Sequence, residues 1–483
     1  MKRSMAATAA ALTLVTMTAC AGQTATATPG ASRTASPTAP AEASGPASPT
    51  ATPGTSGPAT PGASGSASPS PDVEIPGTPL GDALRWLLDA STRAPIMESE
   101  LAEHLAPAFL AQVPAEAFNQ TLAAIKDLRL LGLSVAHANA LYARVETGGT
   151  PYILELSVDA TGRITGARLS APPTPQPTPA SWKELDERLR KAAPQVGFLA
   201  AEVTRGDCRP VHGVAAGEKR PLGSMFKLYV LGTVAERIRS GAFDWDTKLT
   251  ITPELKSLPT GQLQDRPDGS EVTVLEAARL MISISDNTAT DLLIHKVGKK
   301  AVERTMRAWT RSADRRNVPL LSTRELFTLK GVDHPRLAER YLSMSDAGQR
   351  AYLARTVAKV PLSEITAWAE PRDLDTIEWF ASPTGICRTY AKLAKLGDKR
   401  VGEAMSLSDG GLGLDKGTWP SVWFKGGSEA GVLDLSYLAR TDDGRTFVVT
   451  VMGADPAEPL DENQVGQEFA ALVRGGFALA RNS

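Results

Sequence analysis

Residues 273–294 read TVLEAARLMISISDNTATDLLI, and this stretch decides how the second half of the chain folds. Apolar side chains recur at helical spacing over residues 274–284 and again over residues 288–294, which predicts two consecutive helices. Ser285, Asp286 and Asn287 stand between them, and short polar side chains of this kind favour a turn because they hydrogen-bond to nearby backbone. The stretch therefore predicts a serine and an asparagine presented together where two apolar helices meet.

A second motif, SMFK from Ser224 to Lys227, opens another apolar helix that ends near Gly241. A serine hydroxyl is a good nucleophile only when a base removes its proton, and a lysine three residues along faces the same side of a helix. The free N–H groups at a helix start add positive potential where an oxyanion would form. A serine cap followed by a surface lysine is also common at helix starts, so this motif indicates catalysis only together with others.

A third motif, KGG from Lys425 to Gly427, stands at the end of an apolar stretch that is typical of a strand. A lysine there would hold a substrate carboxylate and raise the acidity of Ser285. A glycine next to it would let a ligand lie along the strand edge. We therefore expect Lys425 to be catalytic, and Gly426, Gly427 and the following Ser428 to bind substrate.

Taken together, the three motifs resemble those of class A β-lactamases and penicillin-binding proteins. The quoted helical stretch matches the class A sequence nearly residue for residue, and Ser285 lies 61 positions after Ser224 (285 − 224), close to the family's spacing. The resemblance implies that Ser285 relays a proton to the leaving group and that Asn287 holds Lys227 and the substrate amide. It also implies an oxyanion hole formed by the backbone N–H groups of the nucleophile and of Ser428.

Two departures from the class A pattern concern substrate binding and turnover. Gly426 lacks the hydroxyl that normally bonds the β-lactam carboxylate, so recognition of that group depends on whether Ser428 substitutes. The interval from Ser285 to Lys425 is 140 positions (425 − 285), several tens longer than in class A enzymes, and contains no Glu-x-x-x-Asn. The deacylating glutamate therefore has no clear counterpart. Position alone makes three residues candidates, although solvated helix charges are the simpler interpretation: Glu325, Glu364 and Glu370.

The long interval narrows the resemblance. TRELFTLKG from Thr323, SDAGQRAYLARTVAKVPL from Ser345 and DTIEWFASPTGICRTYAKLAKL from Asp375 look like segments of the serine hydrolase encoded beside clavulanate biosynthesis and of its mycobacterial lipoprotein relatives. Those proteins pair an N-terminal nuclear-transport-factor-2-like (NTF2-like) domain with a β-lactamase-like one. The resemblance implies acyl-enzyme chemistry with modest or altered β-lactam hydrolysis, and it leaves room for esterase activity.

The first twenty residues predict export and a lipid anchor. Two basic residues precede an apolar run, residues 5–19, that is too short for a comfortable membrane span. The run ends in MTAC, which resembles a bacterial lipobox with Cys20 as the lipidated residue, although Met17 stands where leucine is usual. We therefore interpret residues 1–20 as a lipoprotein signal peptide that places the protein on the outer face of the cell membrane. A secretory signal cleaved near Ala19 is the alternative.

Composition divides the rest of the chain. Residues 21–75 are almost wholly Ala, Thr, Ser, Pro and Gly, which predicts a disordered tether because little apolar surface is available to offset the entropy of ordering. The Pro-rich residues 171–180 predict a linker between two folded units. Helical periodicity followed by alternation predicts an α+β, NTF2-like (cystatin- or steroid-isomerase-like) domain over residues 76–170. Residues 181–483 predict a β-lactamase-like domain, in which an antiparallel sheet built from both ends accompanies a helical domain.

Charge and cysteine content exclude several function classes. The 52 basic residues balance the 53 acidic ones, so the composition does not indicate nucleic-acid binding. The three cysteines, Cys20, Cys208 and Cys387, form no CxxC and no ligand cluster with histidine, so neither a metal site nor a cofactor is expected. Whether Cys208 and Cys387 pair stays open.

Three functions from different classes fit this sequence. A hydrolase of β-lactams or related amides and esters is favoured, because Ser224, Lys227, Ser285 and Asn287 are all present. A D-Ala-D-Ala carboxypeptidase or transpeptidase acting on wall peptides is the second, and a ligand-binding lipoprotein with a weak active site is the third. The expected partners are a small-molecule substrate or wall peptide, and the membrane through the lipid anchor.

Overall fold

The computed structural model describes residues 73, 75, 77–137, 140–159, 161–172 and 176–483. The predicted signal peptide with Cys20, and nearly all of the predicted tether, lie outside these residues. Among the residues described, no helix is both long enough and apolar enough to cross a membrane.

The N-terminal unit consists of four helices followed by four strands. The helices are α1 (Pro79–Arg93), α2 (Glu98–His104), α3 (Pro107–Gln112) and α4 (Ala115–Ala124), and the strands are β1 (Arg129–His137), β2 (Ala140–Thr147), β3 (Thr150–Val158) and β4 (Ile164–Ser170). Sheet neighbours are also sequence neighbours, so the sheet is an antiparallel meander. Gly148 and Gly149 form the turn between β2 and β3 with positive φ angles of 57° and 77°, as a two-residue hairpin turn requires.

The predicted order of helices and then a meander is confirmed. Apolar side chains of the helices and of the sheet form one buried cluster, which includes Leu84 and Leu87 of α1, Val145 of β2 and Leu156 of β3. This unit therefore has a core of its own, as an independent α+β domain requires. Its assignment as NTF2-like stays a prediction.

The strands of the C-terminal unit are β5 (Gln195–Thr204), β6 (Asp207–Val214), β7 (Arg220–Pro221), β8 (Lys248–Thr250), β9 (Glu271–Thr273), β10 (Phe380–Ala381), β11 (Ser421–Glu429), β12 (Val432–Arg440) and β13 (Thr446–Ala454). The unit is built around a five-stranded antiparallel sheet in the order β11-β12-β13-β5-β6, and the short strands pair as β7 with β10 and β8 with β9. Its helices are α5 (Trp182–Ala192), α6 (Lys227–Arg239), α7 (Val274–Ser283), α8 (Asn287–Val297), α9 (Lys299–Thr310), α10 (Thr323–Gly331), α11 (Arg336–Leu342), α12 (Asp346–Arg355), α13 (Pro383–Leu396), α14 (Lys399–Met405) and α15 (Glu462–Arg481).

Both faces of this sheet are covered by helices. Successive side chains of a strand point to opposite faces, and along β5 Phe198 and Ala200 pack with α5 and α15. Leu199 and Ala201 pack on the other face with α6 and α13. The predicted sheet with strands from both ends of the unit is confirmed, since β5 from its beginning pairs with β13 from its end.

A disulfide bond joins Cys208 of β6 to Cys387 of α13. The sequence left this pairing open. Farther along α13, the Tyr390 hydroxyl donates a hydrogen bond to the carbonyl oxygen of Ser436 on β12, at 2.8 Å. Because β6 is an edge strand and β12 lies near the opposite edge, α13 is attached across the sheet that carries the candidate site.

The helix that follows the SMFK motif begins later than the sequence predicts. Ser224 lies in a 3₁₀ turn, Gly223–Phe226, in which the N–H of Met225 donates to the carbonyl of Leu222, and α6 begins only at Lys227. Such turns are frequent at helix N-termini because they tighten the first turn. The serine is therefore presented from a tight turn rather than from a helix cap.

Candidate active site

The nucleophile predicted from the sequence, Ser224, lies where the edge strand β11 meets the 3₁₀ turn. A Cβ atom built on Gly427 would lie 2.1 Å from the carbonyl oxygen of Leu222 and 2.9 Å from the backbone nitrogen of Ser224. A side chain would not fit there, so glycine at this position lets the two backbones approach. This contact brings the backbone of β11 beside the hydroxyl-bearing turn.

Lys227 lies behind Ser224 with its side chain completely buried. Four oxygen atoms surround its amine: Oγ of Ser224 at 3.1 Å, Oγ and the carbonyl oxygen of Ser285 at 2.9 and 2.7 Å, and Oδ1 of Asn287 at 2.7 Å. A neutral amine has two hydrogens to donate and one lone pair that can accept the Ser224 proton. The contacts therefore suit a base that keeps its orientation while its proton count changes.

The environment of Lys227 favours the neutral amine. Burial away from water lowers its pKa well below the ordinary value of 10.5, and the nearby charge of Lys425 lowers the pKa further. The carboxylates of Asp286 and Asp291 act in the opposite direction. Burial is the largest of these effects, so the pKa shift increases the fraction of Lys227 able to remove a proton near neutral pH.

Ser285 adopts a strained backbone conformation that the structure around it maintains. Its φ angle is 59°, in the left-handed region that a residue with a side chain rarely adopts. Its carbonyl oxygen accepts hydrogen bonds from Lys227 and from the Thr260 hydroxyl, the latter at 2.8 Å. This conformation places the Ser285 hydroxyl between the amines of Lys227 and Lys425, at 2.9 and 3.2 Å.

Asp286 anchors the turn that carries Ser285. Its buried carboxylate accepts backbone N–H bonds from Gln262 at 2.7 Å, from Leu263 at 3.0 Å and from Ala289 at 2.7 Å. The bond to Ala289 caps α8, and the other two tie the turn to a separate loop. The capping bond could have been predicted from Asp before an apolar helix, whereas nothing in the sequence indicates the loop contacts.

Lys425 reaches the site from β11 with its side chain 3% exposed. Its amine donates to Oγ of Ser285 and, at 2.7 Å, to the carbonyl oxygen of Gly426. Burial lowers the pKa of Lys425 to about 7, so this amine gains or loses its proton near neutral pH. When charged, it makes the Ser285 hydroxyl a better proton donor.

A cavity of about 820 Å³ opens beside these residues. Ser224, Ser285, Asn287 and the stretch from Lys425 to Ser428 line it, with Lys227 beneath its floor. The structure thus brings together every residue of the hydrolase domain that the sequence predicted as catalytic or substrate-binding. Among the residues described, there is no group of three or more His, Cys, Asp or Glu side chains that could hold a metal ion.

The three glutamates that the sequence offered as deacylating bases do not line this cavity. Glu325 closes a capping box with Ser322 at the start of α10 and forms an ion pair with Lys299 at 2.5 Å. Glu364 and Glu370 are exposed to solvent. In all three the structure therefore agrees with the simpler interpretation, that of structural or solvated charges.

The sequence did not indicate a buried charge cluster at the cavity wall. Oε1 of Glu429 lies 2.6 Å from the amine of Lys330, which is completely buried, and Glu378 lies 3.8 Å from the same amine. Burial and the charge of Glu429 raise the pKa of Glu378 well above its usual value. Glu429 lines the cavity, but its carboxylate is paired with Lys330.

The fold and the site define a β-lactamase-like serine hydrolase, and comparisons with known proteins agree. Residues 180–350 match the model of the Beta-lactamase enzyme family, and residues 75–164 match a model described as ORF 12 gene product N-terminal. The sequence resemblance to the β-lactamase group is therefore confirmed over residues 180–350.

Solved structures similar to this chain include β-lactamases and PBP-A. A β-lactamase from Sphaerobacter thermophilus is 18% identical, with 63% of this chain and 98% of that chain covered and a TM-score of 0.43. PBP-A is 17% identical, with 63% and 100% covered and a TM-score of 0.40. A β-lactamase from Burkholderia vietnamiensis is 18% identical, with 62% and 97% covered and a TM-score of 0.42.

The predicted nucleophile and base can be tested by substitution. Ser224→Ala is expected to abolish labelling by an acylating serine probe, and Lys227→Ala is expected to slow it by about 10²- to 10⁴-fold, because a general base contributes about that much. Labelling would be followed by intact-protein mass spectrometry. Lys248→Ala, which changes an exposed lysine, is the matched control and should label normally. Persistent labelling of Ser224→Ala would place the nucleophile elsewhere.

The pKa of Lys425 predicts a pH dependence of acylation. Below about pH 7 this amine is charged and supports proton donation by Ser285, and as the pH rises through about 7 that support is lost. Lys425→Arg keeps its charge at high pH and should move the alkaline decline in acylation rate to higher pH, whatever its absolute rate. The measurement is the pH profile of labelling by a neutral acylating probe. Superimposable profiles for the two proteins would contradict this role.

Proposed function

We propose that this protein is an exported serine hydrolase that acts on β-lactam, amide or ester substrates through an acyl-enzyme on Ser224. The observation that carries the proposal is the position of the buried Lys227 amine, 3.1 Å from the Ser224 hydroxyl. A buried lysine with a lowered pKa, in contact with a serine at the wall of an accessible cavity, is the arrangement that activates a serine nucleophile.

The acylation step uses the groups around this pair. Lys227 accepts the Ser224 proton as Oγ bonds to the substrate carbonyl carbon, and the N–H groups of Ser224 and Ser428 stabilise the resulting oxyanion. The proton then passes through Ser285 to the leaving nitrogen or oxygen, whose bond to the carbonyl carbon breaks. The contacts of the Ser285 hydroxyl with both lysines support this relay, since one amine can deliver the proton while the other polarises the hydroxyl.

Deacylation of β-lactams is proposed to be slow. Glu429, Asp434 and Glu462 supply the carboxylates that line the cavity: Glu429 bonds Lys330 through one oxygen, and Asp434 accepts the Gly453 N–H at 3.2 Å. The second oxygens of Glu429 and Asp434 are buried without a hydrogen-bond partner. The proposal therefore rests on the positions of the three glutamates that the sequence offered as deacylating bases, since none of them lines the cavity. Loss of one general base reduces a rate by about 10²- to 10⁴-fold. Each factor of ten corresponds to an increase of about 1.4 kcal/mol in the activation free energy.

Intact-protein mass spectrometry after mixing with a penicillin and, separately, with a short-chain ester tests the proposal. A stable adduct of Ser224 with the penicillin and rapid turnover of the ester are expected. Turnover of D-Ala-D-Ala peptides with no ester hydrolysis would indicate the carboxypeptidase or transpeptidase alternative. Binding without any covalent adduct would indicate a ligand-binding protein.

The kinetics of a chromogenic cephalosporin should show a burst followed by a low steady rate, because the groups that acylation needs are assembled and none of the three candidate deacylating glutamates lines the cavity. Glu325→Gln, Glu364→Gln and Glu370→Gln should each leave the slow phase unchanged, since none of these carboxylates lines the cavity. Stopped-flow absorbance measures both phases. Rapid hydrolysis by the wild-type protein without a burst would contradict slow turnover. If that hydrolysis is lost in any one of these variants, or in Glu429→Gln, the substituted residue is a deacylating base.

Export and lipidation rest on two independent observations. The apolar segment ending in Cys20 has the pattern of a lipoprotein signal peptide. The Cys208–Cys387 disulfide supports export as well, because such bonds persist in oxidising compartments and are rare in the cytosol.

We further propose that residues 76–170 form an NTF2-like module that binds or positions a ligand. The helices and the four-stranded meander of this unit support the proposal.

A Cys20→Ala variant tests the anchor. The native protein is expected to partition into detergent with the membrane fraction, and Cys20→Ala is expected to be soluble or to keep its signal peptide. Cys208→Ser is a cysteine control that should leave the partitioning unchanged. If Cys20→Ala distributes like the native protein, Cys20 is not the anchor.

A further inference from the structure

The cavity beside Ser224 offers little positive charge. Of the described residues that line it, only Lys425 is cationic. The Lys425 amine is nearly buried, donates to Ser285 and to the Gly426 carbonyl oxygen, and loses its proton near pH 7. A substrate carboxylate would therefore find a single cation, already engaged and only partly charged at neutral pH.

At Gly426, where a side-chain hydroxyl would bind a substrate carboxylate, the ring of Phe424 fills the space beside the strand. A Cβ atom on Gly426 would lie 3.1 Å from Cζ of Phe424 and 3.3 Å from the Asp434 carbonyl oxygen. The Phe424 ring packs against Tyr437, with 4.7 Å between ring centroids, which holds it in place. This part of the cavity wall is therefore apolar as well as lacking a donor.

Ser428 lies beside another carboxylate. Its hydroxyl is near enough to Glu462 to lower the pKa of that group, which burial raises by more, and Glu462 also lines the cavity. A substrate carboxylate placed beside Ser428 would meet Glu462, and Glu429 and Asp434 lie on the same wall. A desolvated anion without compensating hydrogen-bond donors is unfavourable, and Glu429 offers no compensation because its carboxylate is paired with Lys330.

The long insertion contributes a mostly apolar part of the cavity lining. Phe327 of α10 and Trp368 contact each other, with 5.5 Å between ring centroids, and Ile365 lies beside them. Ile282 and Ile284 line the side next to Ser285. The nearby Arg372 does not add a free cation, because it lies over the Trp368 ring and donates to the Lys330 carbonyl oxygen.

From the apolar wall, the engaged lysine and the carboxylates, we infer that this site selects neutral esters and amides with a large apolar acyl group, and discriminates against substrates that carry a carboxylate beside the scissile bond. The inference rests on the proposed function and names its substrate class. In the reaction the bond from the carbonyl carbon to the leaving oxygen, sulfur or nitrogen breaks, and Ser224 takes the acyl group. Water then releases the apolar acid from Ser224.

Two thioesters with the same acyl group test the inference. One is the 4-phenylbutanoyl thioester of thioglycolic acid, and the other is the same thioester with the thioglycolate carboxyl as its methyl ester. Thiol release by the wild-type protein is measured with a thiol reagent, and each kcat/KM is divided by the rate constant for hydroxide hydrolysis. The neutral thioester is expected to be favoured at least about tenfold.

Substitutions in the wall show whether the named residues set this preference. Gly426→Ser adds a hydroxyl and should lower the ratio of the corrected kcat/KM for the neutral thioester to that for the carboxylate thioester. Gly426→Ala, the matched control, adds the same Cβ atom without a donor and should leave this ratio unchanged. Among neutral thioesters, the protein's preference for the 4-phenylbutanoyl over the acetyl group should be smaller in Trp368→Ala than in the wild type.

The possible outcomes separate the inference from the proposed function. Equal corrected rates for the two thioesters, or a preference for the carboxylate, with hydrolysis abolished by Ser224→Ala, would overturn the inference and leave the proposed function standing. Absence of Ser224-dependent hydrolysis of either thioester, and of any adduct with a penicillin, would overturn the proposed function and the inference with it.

Discussion

The burial of Lys227 is the constraint on which the rest of the site depends. A charged amine removed from water is unfavourable unless it is surrounded by hydrogen-bond partners or loses its proton, and here four oxygen atoms surround it while burial lowers its pKa. Those oxygens come from two separate parts of the chain, the turn that carries Ser224 and the turn that carries Ser285 and Asn287. The strained Ser285 backbone and the Asp286 anchor are local conditions that bring the second turn to the amine.

The edge strand β11 contributes to both chemistry and selectivity. Lys425 and Gly427 alternate along it with Phe424, Gly426 and Ser428, so one face of the strand approaches the nucleophile while the other contributes to the cavity wall. A strand edge without a neighbour on one side can admit a substrate, which explains why the site lies here and not within the sheet. The helical insertion then closes the cavity with Phe327 and Trp368.

How much of this could be predicted from the sequence depends on how local each feature is. The SMFK turn, the helices on either side of Ser285 and the Lys425 strand end each have a short pattern, and their order identified the fold and the site. The Glu325 capping box is equally local, because Ser322 and Glu325 have the S-x-x-E spacing. Contacts across the chain have no such pattern. Lys330 and Glu429 are 99 residues apart, Cys208 and Cys387 are 179 apart, and only the folded chain brings each pair together.

The lowered pKa of Lys227 is central to the proposed chemistry, and a titration of its side-chain nitrogen tests it most directly. In a protein labelled with ¹⁵N at lysine Nζ, the resonance missing from Lys227→Met identifies the site. The account predicts that this nitrogen shows the shift of a neutral amine at pH values where exposed lysines remain ammonium ions, because its pKa lies well below 10.5. A Lys227 nitrogen that stays protonated until exposed lysines titrate would contradict it.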